Sequence, residues 1–575
     1  MKNISQKIIT CLLVLLIYLT TNLFSQSFPA FAWVKAIAGS NNENVTASTI
    51  DASGNIYVAG VFQGSIDVDP GPGTVLLSSS GIQDMFVAKY SSLGVLIWAK
   101  HIGGIENEAA YGITVDNAGN VYLTGVFENT VDFDPGPSAY DLTSAGWFDI
   151  FLLKLDPAGN FLWVNQCGGN NDEMAFTVGL DNASNVYISG NFSGTADFDP
   201  SPSVFNLNCV GYRDGFIAKF SANTGSFQWA KQFATTGSTD FCGVSSFVLD
   251  GSGNFYVTGT FAGTVDFDTG SGTYTLTSFG TQSNLYACKL DNTTAITWIK
   301  QIGASSAVVG SNDIKIDNLG NTIITGDFQG SCDFDPGSST VNLTSNGLSD
   351  VFVLKLTNTG TFSWAVGVGD SGFDGSMKLL TTSTNDIIVL GEYQGTVDFD
   401  PGIPIYQISS DAGSWDIFML KLSSAGTFEW VKSVGGPSWD QPCMIHQDTF
   451  GNLYITGRFS DTCDFDPDAP TFYLSATQSD AFILKLNASP THSKENEIHS
   501  FFEVYPTITN NLIHIRSNQY QNYNLEIFDA MGRVVLQTQN TTSIPVYALP
   551  NGMYIIKIQN LTNDRFEYHR FVVQH

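Results

Sequence analysis

The chain repeats one phrase of turn and apolar segments seven times, and this repetition constrains the fold more than any other feature. In the clearest copy, the turn signal Asp116-Asn-Ala-Gly-Asn120 precedes an apolar stretch at residues 121–127. An Asp-x-Asp pair follows, and Asp132 stands 65 residues after its equivalent, Asp67. A unit of this kind cannot bury its apolar face alone, so adjacent copies must stack on one another. The pairs are Asp67/Asp69, Asp132/Asp134, Asp197/Asp199, Asp266/Asp268, Asp333/Asp335, Asp398/Asp400 and Asp464/Asp466.

The two ends of the repeat array show how it closes. A tryptophan strand at residues 31–37 precedes the first copy, and the seventh copy stops after residues 481–485 without such a strand. A ring that completes its last unit with its first strand explains both facts, whereas an open solenoid would need special capping ends. Each copy holds four strand candidates and no helical periodicity. The sequence therefore predicts an all-β fold, a seven-bladed β-propeller closed by strand exchange, at residues 26–486.

One glycine stands inside the second strand candidate of every copy. A glycine in a strand interior usually marks a bulge or a close backbone approach. Here we expect it to allow adjacent blades to pack closely. The residues are Gly60, Gly125, Gly190, Gly259, Gly326, Gly391 and Gly457.

The segments outside the repeats have a different composition. Residues 1–25 combine Lys2 and Lys7 with an apolar run at 8–19, which predicts a secretory signal peptide. Residues 487–500 are polar and are predicted to be a linker. Residues 501–575 hold several short strand candidates separated by turns, which is typical of a small β-sandwich. Apart from the leader, no apolar run is long enough to predict a transmembrane span.

Charge and cysteine content exclude several classes of function. The chain has 54 acidic and 24 basic residues, for a formal net charge of −30. Such a surface repels nucleic acid and anionic lipid and attracts cations or basic partners. Of the eight cysteines, Cys11 lies in the leader, and the others show no Cys-x-x-Cys or Cys/His spacing typical of a metal site. We expect these cysteines to be buried thiols.

The Asp-x-Asp pairs have two interpretations, and the sequence leaves both open. Closely spaced carboxylates suit Ca²⁺, which takes six to eight oxygen ligands. Each aspartate can instead accept backbone hydrogen bonds and close an Asx-type turn before the proline. The fourteen aspartates of the seven pairs are thus candidate calcium ligands. No other cofactor is predicted.

Propeller topology predicts where these pairs lie. In a four-stranded blade, the connection from strand two to strand three leaves on the same side of the ring as the connection between blades. We call this side the loop face, and the opposite side the turn face. The inter-blade connections also carry acids, so we expect a strongly acidic loop face. These acids are Glu43, Glu108, Glu173, Asp374 and Asp440. A lysine repeated in strand three has two interpretations: it pairs with a repeat aspartate, or it extends along a blade edge into solvent.

The repeats resemble the SBBP-type β-propeller repeats of secreted bacterial proteins. The resemblance is carried by the patterns Asp-x-x-Gly-Asn-x-Tyr-x-x-Gly-x-Phe, Asp-x-Phe-x-x-Lys and Trp-x-Lys, between residues 31 and 486. It implies a propeller but no particular activity, because propellers host unrelated functions.

Residues 501–575 resemble the C-terminal sorting domain of the type IX secretion pathway of Bacteroidetes. The matching segments are Val504-Tyr-Pro506, Ile527-Phe-Asp-Ala-Met-Gly-Arg533, Leu549-Pro-Asn-Gly-Met-Tyr554 and Arg570-Phe-Val-Val573. This resemblance implies that the type IX secretion machinery is a partner of this domain. It also implies a protein that passes through the periplasm and is then secreted or held at the outer-membrane surface.

These features predict a secreted or cell-surface protein that binds or scaffolds an unidentified glycan or protein, and not an enzyme. The sequence contains no nucleophile-elbow or zinc-protease motif, and no catalytic or cofactor-binding residue is assigned. The alternative is an extracellular enzyme, active on carbohydrate or protein, with its site on the loop face. Such a site would lie in the divergent blades five to seven, around Asp370, Asp374, Asp440 and His446.

Overall fold

The computed structural model describes residues 28–468, 470–488, 502–505, 508–517, 523–529, 533–560 and 566–575. The chain divides into two compact units, Met1–Pro490 and Thr491–His575. The expected signal peptide at 1–25 and nearly all of the expected linker lie outside the described residues.

The first unit is a ring of seven antiparallel four-stranded sheets, or blades, so the expected all-β fold is confirmed. The first strand of each blade packs against the first strands of both neighbours, and the ring closes where Asn44–Ile50 meets Gln441–Gln447. The first strands are Asn44–Ile50, Glu108–Val115, Glu173–Leu180, Phe241–Leu249, Asp313–Ile316, Gly375–Thr381 and Gln441–Gln447. The second strands are Ile56–Phe62, Val121–Phe127, Asn185–Phe192, Phe255–Ala262, Thr322–Gln329, Ile387–Gln394 and Leu453–Asp464.

The third and fourth strands complete each blade toward its outer edge. The third strands are Asp84–Tyr90, Asp149–Leu155, Asp214–Ser221, Asn284–Leu290, Asp350–Leu356, Trp415–Leu422 and Tyr473–Asn487. The fourth strands of blades one to six are Leu96–Gly104, Phe161–Gly169, Phe227–Thr235, Ile296–Ile302, Phe362–Val368 and Phe428–Val434. Blade five has one further short strand, Val308–Val309, on its second strand.

The seventh blade takes its fourth strand from the other end of the propeller. Ala30–Gly39 pairs with Tyr473–Asn487 in an antiparallel register that places Val34 opposite Leu484. The expected strand exchange is therefore present. Val34 and Leu484 lie in one buried apolar cluster with residues of the sixth blade, so closure also buries apolar surface.

Short hairpins follow the second strands, and the sequence did not predict them. Thr130–Asp132 pairs with Asp141–Thr143, and Val131 and Asp132 also pair with Gly104 and Gly103 at the end of the preceding blade's fourth strand. This hairpin therefore extends the sheet of the blade before it, as do three others, whereas the hairpins of blades five and six form separate two-stranded sheets. The other hairpins are Ser65–Asp67/Leu76–Ser78, Thr195–Asp197/Asn206–Asn208, Thr264–Asp266/Thr275–Thr277, Ser331–Asp333/Asn342–Thr344 and Thr396–Asp398/Gln407–Ser409. In blade seven the hairpin is continuous with the long second and third strands.

The second-strand glycine faces a bulge within its own blade. A Cβ added at Gly125 would lie 1.9 Å from the carbonyl oxygen of Ala109. The first strand bulges beside this contact, between Ala110 and Gly112. The glycine is thus required by the bulged first strand, and our expectation that it serves packing between blades is wrong.

On the turn face, five blades carry a lysine–tyrosine–tryptophan group, and in blade two this group bonds to the next blade. The Lys154 ammonium lies 5.0 Å from the centre of the Tyr122 ring and donates a 2.7 Å hydrogen bond to the carbonyl oxygen of Ala222, in the following blade. Trp163 packs edge-on against Tyr122. Lys154 is buried, so the expectation of a solvent-directed lysine is wrong. The alternative, pairing with an aspartate of the repeat, is found for Lys89 with Asp51, Lys355 with Asp317 and Lys421 with Asp386. Equivalent lysine–tyrosine pairs are Lys89/Tyr57, Lys219/Tyr187, Lys289/Tyr256 and Lys485/Tyr454.

The second unit consists of two small sheets that share one core. Its strands are Phe502–Tyr505, Ile508–Thr509, Leu512–Ser517, Tyr523–Phe528, Val534–Gln539, Ser543–Pro545, Gly552–Asn560 and Phe566–Val573. Ile513 and Ile544 from the three-stranded sheet pack with Leu525 and Ile556 from the five-stranded sheet. This arrangement agrees with the expected β-sandwich.

The seven cysteines among the described residues are all free thiols. Five of them are buried, as expected from the sequence, and two are partly buried. Within the same ranges, no helix has the length and apolar character needed to cross a membrane.

Candidate functional site

The Asp-x-Asp pair builds the tip of each loop-face hairpin. Asp132 Oδ1 accepts the N–H groups of Asp134 at 3.0 Å and Tyr140 at 2.8 Å. Asp134 Oδ1 accepts the N–H of Gly136 at 2.8 Å. All seven copies repeat this pattern of three bonds. The pair thus closes a turn whose backbone N–H groups would otherwise lack partners.

The two aspartates of a pair have different tasks in this turn. The first bridges the two sides of the hairpin, because it accepts N–H groups from residues two and eight positions later; the seven are Asp67, Asp132, Asp197, Asp266, Asp333, Asp398 and Asp464. The second holds only the tip, because it accepts the N–H group two positions later; the seven are Asp69, Asp134, Asp199, Asp268, Asp335, Asp400 and Asp466. The structure therefore gives all fourteen candidate ligands a role in the fold.

The hairpins connect neighbouring blades at the outer rim of the loop face. Pairing between a hairpin and the preceding fourth strand recurs at most of the junctions. At the junction of blades five and six, the Asp370 carboxylate accepts the N–H of Thr396, the first hairpin residue. The sevenfold repetition of the pair is explained by this role in the fold.

Calcium binding by these pairs stays a prediction, and the structure does not gather their carboxylates into a metal centre. Each pair belongs to its own hairpin, and one oxygen of each carboxylate already accepts a backbone N–H group. Among the described residues, no group of three or more histidine, cysteine, aspartate or glutamate side chains is arranged to hold a metal ion. Two carboxylates fall short of the six to eight oxygens that Ca²⁺ takes, so backbone carbonyls and water would have to supply most of its ligands. This applies equally to Asp67/Asp69, Asp132/Asp134, Asp197/Asp199, Asp266/Asp268, Asp333/Asp335, Asp398/Asp400 and Asp464/Asp466.

The inter-blade acids lie in the junctions between blades and not on the surface. Glu108 is buried and accepts the N–H of Gly104, and it lies close enough to Asp84 of the preceding blade to feel its charge. The five acids and their third-strand neighbours are Glu43/Asp480, Glu108/Asp84, Glu173/Asp149, Asp374/Asp350 and Asp440/Asp416. The expectation that these acids make the loop face strongly acidic is therefore wrong.

Burial makes these carboxyl groups hold protons near neutral pH. Burial and, to a smaller extent, a neighbouring carboxylate raise the pKa of Glu43 to about 7 and the pKa of Glu108 and of Glu173 to about 8. The same two causes raise the pKa of Asp374 and of Asp440 to about 7. Both causes disfavour the charged form of a carboxyl group.

The residues named for an enzymatic site do not form one pocket. Asp374 and Asp440 lie in different junctions, and Asp370 positions Gly372 and Thr396 by accepting their N–H groups. His446 lies on the innermost strand of blade seven, with Nε2 at 3.0 Å from the hydroxyl of Ser48. Burial, with the charge of Lys315, lowers the pKa of His446 to about 4, so this imidazole is neutral.

A different group of side chains marks blades five to seven, at the residue after the second-strand glycine. In blades one and two this residue is Val61 or Val126, and both pack with Ala109 in a small apolar cluster. Blades three and four carry the neutral Asn191 and Thr260. In blades five, six and seven it is charged: Asp327, Glu392 and Arg458.

These three charges interact with one another and with a tryptophan of the loop face. Trp439 donates its indole N–H to Glu392 at 3.2 Å, and the Arg458 guanidinium lies 4.4 Å from the centre of the Trp439 ring. Asp327 accepts the amide of Asn312 at 2.6 Å. Burial, with the charge of Glu392, raises the pKa of Asp327 to about 6.

Two more aromatic side chains continue this group across the sixth blade. Trp439 lies 6.5 Å from Trp415, and Trp415 lies 5.1 Å from Phe373, measured between ring centres. We name Phe373, Trp415, Trp439, Glu392 and Arg458 the aromatic–charged cluster. Our reading of the sequence missed this cluster, although a comparison of the residue after each glycine would have revealed it.

The loop face of the other blades also exposes large apolar side chains. Trp147 is 70% exposed and Tyr212 is 64% exposed, and both precede the third strand of their blades by the same interval. Ile82 and Leu348 occupy the equivalent places in blades one and five and are exposed as well. The same position of the loop face thus offers apolar surface to a partner in four of the seven blades.

Comparison with known proteins identifies the C-terminal unit. Residues 503–574 match the family described as secretion system C-terminal sorting domain. The sorting domain predicted from the sequence is thereby confirmed. The chain is exported by the type IX secretion system to the cell surface or the extracellular space, and the machinery of that system handles this domain.

Two curated proteins are similar to the chain in sequence. An uncharacterized WD repeat-containing protein of Acanthamoeba polyphaga mimivirus, L264, is 23% identical over 443 residues, which is 64% of this chain and 32% of that protein. Regulatory protein FlaEY of Caulobacter vibrioides is 23% identical over 217 residues, which is 36% of this chain and 21% of that protein. The chain thus spans about a third and a fifth of the length of these relatives.

Two solved structures are also similar to the chain. PorZ of Porphyromonas gingivalis, a surface component of the type IX secretion system, has a TM-score of 0.28 and 10% identity, covering 95% of this chain and all of PorZ. The WD40 domain of SCAP from fission yeast has a TM-score of 0.30 and 7% identity, covering 80% of this chain and 98% of that domain.

Proposed function

We propose that this protein is an exported binding protein that contacts an extracellular glycan or protein with the loop face of its propeller. The observation that carries the proposal is the set of large side chains exposed on that face, Trp147 and Tyr212 among them, together with the aromatic–charged cluster. The fold does not need these side chains in solvent, because the hairpins and the turn-face lysines already join the blades. Exposed aromatic side chains dominate the energetics of many protein surfaces that bind partners.

Binding without turnover is the form of this proposal that the propeller supports best. Both of its histidines are engaged in hydrogen bonds within the fold, His101 with Asp84 and His446 with Ser48. The carboxyl pairs of the junctions are buried between blades, where a polymeric substrate has no access. Catalysis by a paired acid and base requires both groups to reach the reacting bond.

The test compares the two faces of the ring. The full chain is applied to an array of purified polysaccharides, mucin glycans and extracellular matrix proteins. A variant with Trp147→Ala, Tyr212→Ala and Trp439→Ala is expected to lose at least about tenfold in affinity for whatever the unchanged chain binds. Phe450→Ala serves as the control, because Phe450 is 83% exposed on the turn face.

Two results would overturn the proposal. One is the absence of binding to every component of the array. The other is equal loss of affinity in the Phe450→Ala control, which would place the contact elsewhere or show that the loss is unspecific. Unchanged thermal unfolding of each variant shows that the loop-face side chains act on binding and not on stability.

A further inference from the structure

The charges of blades five to seven stand at a position that carries an uncharged side chain in the other four blades. The equivalent Val61 and Val126 are buried and pack with Ala109. Glu392 is also buried, and burial raises its pKa above the ordinary value. A buried carboxylate costs free energy that an apolar side chain of similar size would not. Asp327 and Arg458 are partly buried, so a charged side chain stands away from bulk water at this position in three adjacent blades, which indicates a role other than folding.

The cluster combines apolar ring surface with both kinds of hydrogen-bonding group. Trp439 is 45% exposed and Phe373 is 38% exposed, so each offers part of its ring to solvent. The Trp439 indole donates its N–H to Glu392, and Arg458 lies over the same ring. These two contacts fix the orientation of the Trp439 ring. The carboxylate supplies acceptors, and the guanidinium supplies donors.

This combination selects among classes of ligand. A nucleic acid is repelled by a chain with a net charge of −30. A cationic peptide would meet Arg458 at the centre of the cluster, and an anionic one would meet Glu392 and Asp327. A neutral sugar ring carries C–H groups on its faces, which suit aromatic side chains, and hydroxyl groups on its rim, which both donate and accept.

We propose that the aromatic–charged cluster is a carbohydrate-binding site, with a neutral sugar ring against Trp439 and Phe373 and its hydroxyl groups bonded to Glu392 and Arg458. This site deepens the proposed function, on which it rests, by assigning the ligand class and the blades. Trp415 lies between Phe373 and Trp439, with ring centres 5.1 and 6.5 Å away. The contacts thus link three rings, which offer more surface than a single sugar covers, so we expect an oligosaccharide chain.

The experiment measures binding of the full chain to soluble amylose, xylan, mannan and laminarin oligosaccharides by titration calorimetry. Binding to at least one of them is expected, with a loss of about tenfold in affinity for Trp439→Ala and a smaller loss for Glu392→Gln. Phe450→Ala, an exposed aromatic side chain on the turn face, is the matched control, and its affinity stays unchanged. Trp147→Ala, a tryptophan on the loop face of blade two, is measured beside it. Trp439→Phe, which keeps a ring and removes the N–H, provides a second variant should Trp439→Ala fail to fold.

The outcomes separate this site from the proposed function. Sugar binding that is lost with Trp147→Ala and kept with Trp439→Ala overturns the site but leaves the loop face as the binding surface. Binding to proteins of the array and to none of the sugars does the same. Absence of binding to sugars and proteins alike overturns both.

Discussion

Blades one and two and blades five to seven share one scaffold but differ at the residue that follows the second-strand glycine. In the first region Val61 and Val126 complete an apolar cluster, and in the second Glu392 and Arg458 surround Trp439. The hairpins, the bulges and the turn-face groups recur in both regions. Positions that carry the same residue in every blade therefore serve closure of the ring, whereas positions that vary between blades can serve binding.

The largest expected effect concerns the glycine that both regions share. Gly125→Ala and Gly391→Ala should each destabilise the propeller by at least about 3 kcal/mol, because the added Cβ would meet a carbonyl oxygen of the first strand at 1.9 or 2.3 Å. Denaturant unfolding measures the change. Gly251→Ala is the control, since nothing lies within 4 Å of its Cβ position. A tolerated alanine at only one of the two sites would show that the scaffolds differ after all.

An exchange of residues between the regions tests the comparison directly. Val126→Glu should cost about 2 to 3 kcal/mol, because it buries a carboxylate that has neither an indole nor an arginine beside it. Glu392→Val should cost less, about 1 kcal/mol, because it removes the acceptor of the Trp439 N–H and the charge beside Arg458, but both of these groups are partly exposed and can bind water. Equal destabilisation by the two substitutions, measured by thermal unfolding, would contradict a functional role for Glu392.

Because of the buried junction acids, we expect the stability of the propeller to depend on pH. This dependence arises from the junctions and not from the aromatic–charged cluster. Burial raises the pKa of Glu108 and Glu173 to about 8, so the folded chain retains protons that the unfolded chain releases near its ordinary value of 4.5. Stability is then full below about pH 4.5 and falls as the pH rises through 8, by a total of about 2 kcal/mol or more. The melting temperature should therefore decrease between pH 6 and pH 9.

Amide substitutions test whether the junction acids cause this pH dependence of the melting temperature. Glu108→Gln and Glu173→Gln together keep the shape of two junctions and remove two titrating groups, so the decrease in melting temperature becomes shallower. Glu392→Gln should change it less, because the Arg458 charge partly offsets the effect of burial on the pKa of Glu392. A melting temperature that is flat from pH 6 to pH 9 in the unchanged chain would contradict the raised pKa values.

The smallest expected effect concerns the hairpin tip. A related measurement tests whether the Asp-x-Asp pairs bind Ca²⁺. Asp132→Ala removes the acceptor for two backbone N–H groups and should cost about 1 kcal/mol. If the pairs bind Ca²⁺ as well, a chelator lowers the melting temperature of the unchanged chain, because an ion bound only to the folded state stabilises it. Identical melting curves with and without chelator would leave turn formation as the whole role of the pair.

The architecture could be predicted from the sequence because its signals are repeated. The tryptophan strand at residues 31–37, which precedes the first copy, predicted closure by strand exchange. The pairing of Val34 with Leu484 confirms this closure. The Asx-type turn was one of two interpretations of the Asp-x-Asp pair, and the bonds to Asp132 are those of such a turn. A local turn of this kind depends on residues only a few positions apart, so sequence spacing suffices to predict it.

The candidate site could not be predicted in the same way, because it depends on contacts between blades. From the sequence alone, Glu108 is predicted to be a surface acid. In the structure it lies beside Asp84 and Gly104 of the preceding blade and is buried. Trp439 and Arg458 are 19 positions apart, and their contact depends on where an inter-blade loop folds back. Spacing along the chain carries little information about such contacts. Only the change of residue type after the glycine pointed to blades five to seven.

The exchanged strand also sets an order of events in time. Ala30–Gly39 is made near the start of the chain, yet its partner Tyr473–Asn487 is made more than 430 positions later. The ring cannot shut until both have emerged on the same side of a membrane, so until then the last blade exposes an unpaired edge strand. Closure of the ring therefore has to wait for the last blade. After a cut of the chain beside residue 39, only pairing with Tyr473–Asn487 and side-chain packing would hold this strand in the ring.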